Sequence, residues 1–194
     1  MRLETASEKK LGRPRDERAR RSVLDAVREQ LKHGSLCGMT MEGIARQAGV
    51  GKQTIYRWWP SVAEVALEAL IEEAGEQCPL PETGSMRGDL KAFLSGTFLV
   101  VTQRTGSLLR CLMVEAQKNP EFRTRFREQF IRSRQEALTT LLRRYDSRPT
   151  DTYPIVDIVY GSLWYRLLVG HQPLDDALAE QLADVVVALL QSQQ

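Results

Sequence analysis

The 194-residue sequence contains few of the residues that build metal centres and disulfide frameworks. It has three cysteines, Cys37, Cys78 and Cys111, with no C-x-x-C spacing, and two histidines, His33 and His171. An odd number of widely spaced cysteines does not make a disulfide framework, and these residues assemble no local zinc site. The sequence therefore predicts reduced thiols and no metal or other cofactor. A redox-sensing role for the cysteines stays open as an alternative.

Long apolar runs are also absent. Residues 1–20 have no apolar core of the kind that marks a signal peptide, and the longest uninterrupted run, 185–190, is far too short to span a bilayer. Hydrophobic residues make up 42% of the chain and charged residues 27%, which is ordinary for a soluble globular protein. We therefore expect a cytoplasmic protein with no membrane segment.

Strand patterns are the third absence. No segment alternates at period two for long enough to require a strand, no internal repeat is visible, and apolar residues recur at helical spacing instead. The sequence predicts an all-α fold with a three-helix headpiece and a larger helical domain. The predicted divisions are a basic arm (1–15), the headpiece (16–60) and the larger domain (61–194). Predicted helices in the larger domain include 86–103, 108–118, 121–145, 155–169 and 175–192.

Positive charge is concentrated near the start of the chain. Residues 1–60 hold 13 Lys/Arg against 7 Asp/Glu, whereas residues 61–194 hold 14 against 18, although the whole chain has a net charge of only +2. A basic region of this kind favours phosphate binding. The arm, which includes Arg15, is predicted to follow the minor groove of DNA, and a solvated tail is the alternative.

Residues 39–59 predict two short helices joined by a tight turn. Thr40 is expected to cap the first helix, and Gly49 stands where the chain must reverse, often with positive φ. Residues 52–58 form the second helix, which buries Ile55 and turns amide, hydroxyl, phenol and cationic groups outward. Such a face suits a nucleic-acid groove, and the pattern is that of a helix-turn-helix.

The pattern I-A-x-x-A-G-V-x-x-x-T-I-Y-x-x-W over residues 44–59 resembles the DNA-binding motif of the TetR family of bacterial regulators. The segment GSLWYRLLVGHQPLD, residues 161–175, is similar to the carboxy-terminal domain of one TetR subgroup. The resemblance implies that residues 16–60 are a helix-turn-helix DNA-binding headpiece and residues 61–194 a ligand-binding and dimerisation domain. It also implies a homodimeric transcriptional regulator, most often a repressor, that binds a palindromic operator. The sequence departs from the family pattern at Gly51, where serine or threonine is usual, and at Val62, where a phosphate-binding lysine is frequent.

We assign Lys52 and Gln53 to base edges, because lysine pairs with guanine and an amide pairs with adenine. Thr54, Tyr56 and Arg57 are assigned to phosphates. The alternative is that these side chains only solubilise a helical hairpin. Further DNA contacts are expected from Thr40, Ser61 and Arg15.

The last two helices are expected to pair with a second copy of the chain. The predicted dimer stripe on the final helix consists of Leu174, Leu178, Leu182, Val185, Val186 and Leu189. Gly161 and Ser162 on the preceding helix permit close approach of another backbone. The alternative is that both helices only complete the core of the monomer.

A pocket for a small apolar or amphipathic effector is expected among the middle helices. The assigned lining residues are Phe93, Thr97, Phe98, Glu115, Phe126, Phe130, Tyr160 and Trp164. A packed core is the alternative for the apolar ones. Glu115 interrupts an apolar stretch, so its carboxylate is expected to meet a partner such as Arg110, Arg166 or a cationic ligand. Two other functions remain: a ligand-independent DNA-binding regulator, and an all-α enzyme that uses Glu115 or His171 as an acid–base group.

Overall fold

The computed structural model describes residues 17–33, 38–76, 80–145 and 152–192, and within this part all regular structure is helical. The all-α prediction is confirmed. The α-helices are α1 (Glu17–His33), α2 (Met41–Ala48), α3 (Lys52–Trp58), α4 (Val62–Glu76), α5 (Met86–Val100), α6 (Gly106–Lys118), α7 (Pro120–Phe126), α8 (Arg132–Arg143), α9 (Tyr153–Val169) and α10 (Asp176–Ser192). None of these described helices is long and apolar enough to cross a membrane.

The local signals that start and end several helices act as predicted. The Thr40 hydroxyl accepts a hydrogen bond from the Gly43 N–H at 3.0 Å, and Ser85 caps α5 by accepting from Gly88 at 3.1 Å. Gly49 ends α2 at φ +67°, in the left-handed region that glycine adopts without a steric penalty. These three residues therefore set helix boundaries by local chemistry alone.

Helices α1, α2 and α3 form the headpiece around a small apolar core. Val23, Leu24 and Val27 on α1 are fully buried, as are Ile44 on α2 and Ile55 on α3. Helix α1 packs against both α2 and α4. Helix α1 therefore supports α2 of the helix-turn-helix, and Ile55 fixes which face of α3 points outward.

Helix α4 connects the headpiece to the remaining helices, α5–α10, which we call the body. It contacts α1 on one side and α6 on the other, and it buries Val65, Leu67 and Leu70. The sequence Ser61-Val62-Ala63-Glu64 at its start has the pattern of a capping box, but that box is only half formed. The Ser61 hydroxyl accepts from the Glu64 N–H at 3.4 Å, but the Glu64 carboxylate pairs with Arg125 of α7 across the domain. The long-range ion pair therefore replaces the local bond that the sequence pattern predicted.

Two π turns join pairs of helices. The sequence predicted a helix break at the first position and one uninterrupted helix at the second. Residues Val101–Thr105 connect α5 to α6, so the predicted break at Gly106-Ser107 is wrong and the chain stays helical from Met86 to Lys118. A Cβ atom on Gly106 would lie 2.6 Å from the Val101 carbonyl oxygen, so only glycine fits there. Residues Arg127–Ile131 join α7 to α8 within the predicted long helix.

The final helix packs against its own chain more closely than predicted. Helix α10 lies along α5, and Leu178, Leu182 and Val186 of the predicted dimer stripe are buried. The assignment of these three side chains to a dimer surface is therefore wrong. Exposed apolar side chains lie along one face of α9, at Ile158, Tyr165, Leu168 and Val169, with the exposed Gly161 and the half-buried Ser162 among them.

Candidate nucleic-acid interface

The outward face of α3 presents the side chains that were assigned to DNA. Lys52, Gln53, Tyr56 and Arg57 are exposed, and Thr54 is half-buried. The exposed fraction of Tyr56 is 42%, which is large for an aromatic residue, whereas Ile55 beside it is fully buried. One side of a two-turn helix thus anchors it while the other side offers donors for a nucleic-acid groove.

Glu42 on α2 organises two of these side chains. Lys52 Nζ lies 2.7 Å from Glu42 Oε1, and the Tyr56 hydroxyl donates to the same oxygen at 3.2 Å. The hydrogen bond from Lys52 holds the pKa of Glu42 below its usual value, and that of Lys52 is raised in return. This role of Glu42 was not predicted from the sequence, although the place of Glu42 in the first turn of α2 is a usable signal.

The end of α3 is anchored by paired tryptophans. Trp59 is buried, and its Nε1–H donates to Glu68 on α4 at 2.6 Å. The half-buried ring of Trp58 stands edge-on to Trp59 with centroids 5.5 Å apart, and the Arg57 guanidinium lies 5.9 Å from the Trp58 centroid. The Arg57 guanidinium therefore lies near a tryptophan pair that is hydrogen-bonded to α4, at the edge of the outward face of α3.

The other predicted DNA contacts have different surroundings. Thr40 is exposed, but its hydroxyl is engaged as the cap of α2, and the Ser61 hydroxyl serves α4 in the same way. Either residue can still donate a backbone N–H at a helix start. Arg15 and the rest of the basic arm lie outside the described residues.

An ion-pair cluster, which we call the headpiece brace, ties α1 to α4. Arg20 Nε lies 2.5 Å from Glu68, Arg20 Nη2 lies 2.5 Å from Glu72, and Arg28 Nη2 lies 2.7 Å from Glu72. Burial disfavours a charged Glu72, but the hydrogen bonds from the two arginines outweigh burial and lower the pKa of Glu72. No sequence signal identified the brace, because its partners are 44 to 52 residues apart.

The body contains a small internal cavity of about 60 Å³. Four predicted effector-binding residues line it: Thr97, Phe130, Tyr160 and Trp164. The lining residues that the sequence did not identify are Leu70, Val100, Val101, Thr105, Leu109, Ile131, Arg134 and Leu163. Because Leu70 belongs to α4, the cavity touches the helix that the headpiece brace holds at its other side.

The remaining predicted effector residues lie elsewhere. Phe93, Phe98 and Phe126 are buried in the core outside the lining, and Phe126 stacks on Phe130 with centroids 5.7 Å apart. Glu115 is half-buried and is not in the lining.

Glu115 forms the predicted ion pair with neither Arg110 nor Arg166. Arg166 donates to the Pro173 carbonyl at 2.6 Å, and Arg110 makes no ion pair with a described residue. His171 is exposed and its ring lies 4.6 Å from that of Tyr165.

Comparison with known proteins agrees with this geometry. The family described as "Bacterial regulatory proteins, tetR family" matches residues 23–75, and the "Tetracyclin repressor-like, C-terminal domain" matches residues 80–186. The HTH-type transcriptional regulator YdeS of Bacillus subtilis (strain 168) is 28% identical over 178 residues, which cover 89% of this chain and 90% of that protein. AqdR of Rhodococcus erythropolis, another HTH-type transcriptional regulator, is 28% identical over 134 residues, covering 69% and 64%.

Solved structures show the same fold. The TetR family transcription regulator SCO0332 aligns with a TM-score of 0.75 and 32% identity, covering 87% of this chain and 96% of that one. FadR from Bacillus subtilis, solved in complex with stearoyl-CoA, aligns with a TM-score of 0.65 and 18% identity, covering 86% and 97%. The exposed face of α3, the family matches and these structures lead to one conclusion: the chain belongs to the TetR family and is a DNA-binding, helix-turn-helix transcriptional regulator.

Proposed function

We propose that the protein is a homodimeric repressor that binds a palindromic operator and releases it when a small apolar or amphipathic effector enters the body. The main support for this proposal is the outward face of α3. It combines two exposed cations, an amide and a phenol on a helix whose opposite side is locked by Ile55. Lys52 and Gln53 are placed at base edges, and Thr54, Tyr56 and Arg57 at phosphates.

Pairing of two chains follows from the size of the headpiece and from the open face of α9. One recognition helix reads few base pairs, and a dimer reads two half-sites about one helical turn, roughly 34–36 Å, apart. The exposed fractions of Tyr165 and Val169 are 60% and 57%, and nothing lies within 4 Å of a Cβ built on Gly161. An apolar face with room for a second backbone supports pairing through α9, with Val185 of α10 beside it.

Effector control is supported by the cavity and its place beside α4. A volume of about 60 Å³ is too small for a drug-sized ligand, so an effector must push the lining apart. Leu70 of α4 lies in that lining, and Glu68 and Glu72 of the same helix belong to the headpiece brace. A ligand that separates the lining therefore moves α4 and changes the distance between the two headpieces. The stearoyl-CoA bound by FadR supports a long apolar effector.

The test is selection of DNA sequences by the full-length chain, followed by fluorescence anisotropy on the selected duplex. We expect a two-fold symmetric site, a loss of affinity of about tenfold or more for Tyr56→Ala and Arg57→Ala, and no change for Arg143→Gln. Arg143 is an exposed arginine of α8 and serves as the matched control. An asymmetric site, or indifference to both α3 variants, would reject the proposal.

Glu42 gives a second test of the same surface. Its carboxylate holds Lys52 and Tyr56, so Glu42→Gln frees both groups and removes a negative charge from the DNA-facing side. We expect DNA affinity to increase a few-fold, with a steeper dependence on salt concentration, because the positive charge of Lys52 on the DNA-facing surface is no longer offset by Glu42. An unchanged salt dependence would show that the Glu42 contacts do not restrain these residues.

A further inference from the structure

A second concavity lies on the far side of the π turn between α5 and α6 and is distinct from the effector cavity. This groove has a volume of about 320 Å³ and is formed by the π turn, the start of α6 and the end of α9 with the loop that follows it. Three arginines line it: Arg104, Arg110 and Arg166. None of the described residues that line it is acidic. Three guanidinium groups, of which only that of Arg104 pairs with a carboxylate of a described residue, create a positive potential inside the groove.

The bonds that these arginines make leave donors available. Arg104 Nε lies 2.9 Å from Glu73 on α4, and Arg166 Nη1 donates to the Pro173 carbonyl at 2.6 Å. Arg110 is exposed and makes no ion pair with a described residue. Each guanidinium carries five N–H groups, so all three retain free donors, and the amides of Gln103 and Gln172 add more along the rim. Planar guanidinium forks match the oxygens of phosphate and carboxylate groups.

We propose that this groove binds a small molecule with at least two anionic phosphate or carboxylate groups, and that the anion competes with Glu73 for Arg104. Arg110 and Arg166 hold the anion, and Arg104 turns from Glu73 towards it. The Glu73 side chain is 19% exposed, so loss of its partner leaves a half-buried carboxylate on α4 short of one ion pair. Binding in the groove therefore weakens a contact between α4 and the π turn without entering the effector cavity.

Isothermal titration calorimetry on the full-length protein, without DNA, tests the proposal. Inorganic pyrophosphate and citrate are the two probes, and their relative affinities distinguish a phosphate from a carboxylate ligand. We expect at least one of them to bind, and Arg110→Gln to weaken that binding by about tenfold or more, the loss expected for one charge-assisted bidentate contact. Glu73→Gln is expected to strengthen binding several-fold, because Arg104 no longer has a charged competitor.

Two matched variants exclude general attraction to a basic protein. Arg143→Gln removes an equal charge outside the groove, and Lys52→Gln removes one from the DNA-facing surface. Neither is expected to change the affinity. The anion site is rejected if neither probe binds at millimolar concentration, or if Arg143→Gln or Lys52→Gln weakens binding as much as Arg110→Gln does. Equal affinity in the wild type and Glu73→Gln rejects the competition. The measurement does not involve DNA, so its failure leaves the proposed repressor function unaffected.

Discussion

The two sides of helix α4 are held by different kinds of interaction. On the headpiece side, Arg20 and Arg28 fix Glu68 and Glu72 through directional ion pairs with short distances. On the body side, α4 makes two separate ion pairs through Glu64 and Glu73, and Leu70 lines a small cavity where contacts are apolar and carry little directional preference. A charged network resists rotation of one helix against another, whereas an apolar lining can repack at modest cost. We therefore expect α4 and the headpiece to move together, and the side chains of the body to repack when α4 moves.

The largest expected effect comes from the body side. Leu70→Ala removes a fully buried side chain and enlarges the cavity, so we expect the free energy of unfolding to fall by about 2–5 kcal/mol. Urea denaturation followed by circular dichroism measures the loss. Below the unfolding transition, DNA affinity should stay close to that of the wild type, because the brace is intact. A large loss of affinity in folded Leu70→Ala would contradict the proposed division of roles.

A smaller loss of stability is expected on the headpiece side. Glu72→Gln leaves Arg20 and Arg28 with one fewer charged partner in a half-buried setting, which costs about 1–2 kcal/mol of unfolding free energy. DNA affinity should fall more in this variant than in Leu70→Ala, since the Arg20–Glu68 pair is then the one ion pair of the brace that still ties α1 to α4. Glu136→Gln breaks the exposed Arg132–Glu136 pair and is the matched control, with no measurable change expected. Equal effects of the two substitutions would contradict the importance of the brace.

The brace should also make stability depend on pH. Two arginines lower the pKa of Glu72 from its ordinary value near 4.5, so in mildly acidic solution the unfolded chain binds more protons than the folded one. The stabilisation is fully present above the ordinary value and is lost as the pH falls through the folded pKa. We expect the difference in unfolding free energy between wild type and Glu72→Gln to shrink from about pH 6 to about pH 3. A difference that is independent of pH would contradict this assignment.

The smallest expected effect concerns an ion pair on the body side. Arg125 pairs with Glu64 near the start of α4, but its own side chain is 38% exposed. Arg125→Gln should therefore cost less than about 1 kcal/mol. Thermal unfolding of this variant beside Glu72→Gln gives the ranking directly. If Arg125→Gln proved the more destabilising, the body side would be the ionic anchor of α4 and the comparison would be reversed.

Features governed by neighbouring residues were predictable from the sequence. The Thr40 cap, the positive φ of Gly49 and the Ser85 cap each depend on atoms within a few residues. The burial of Val23, Val27 and Ile55 follows from helical spacing, because an amphipathic helix has one face to bury. These signals were sufficient to predict the fold class and the outward face of α3.

Features governed by distant residues were not predictable in the same way. The partners of Arg20 lie 48 and 52 residues away, and many acidic residues satisfy the same charge requirement. Helical spacing identified Phe93 and Phe98 as buried, but it does not distinguish a residue that meets a void from one that meets another side chain. Leu178 and Leu182 were assigned to a dimer because the sequence does not show that α10 packs along α5.

The π turn at Val101–Thr105 has a consequence for the lengths of chain that the fold tolerates. A π turn is the equivalent of one extra residue inserted into an α-helix. Deleting one residue there would restore regular α-helical geometry and leave α6 in nearly the same orientation, because five residues at about 4.4 per turn cover about the same rotation as four residues at 3.6 per turn. Leu108, Leu109 and Leu112, which are buried, would keep their places in the core. Deleting one residue from the regular part of α6 would instead turn the rest of that helix by about 100°. The fold is therefore expected to accept a chain that is one residue shorter at the π turn but not within α6.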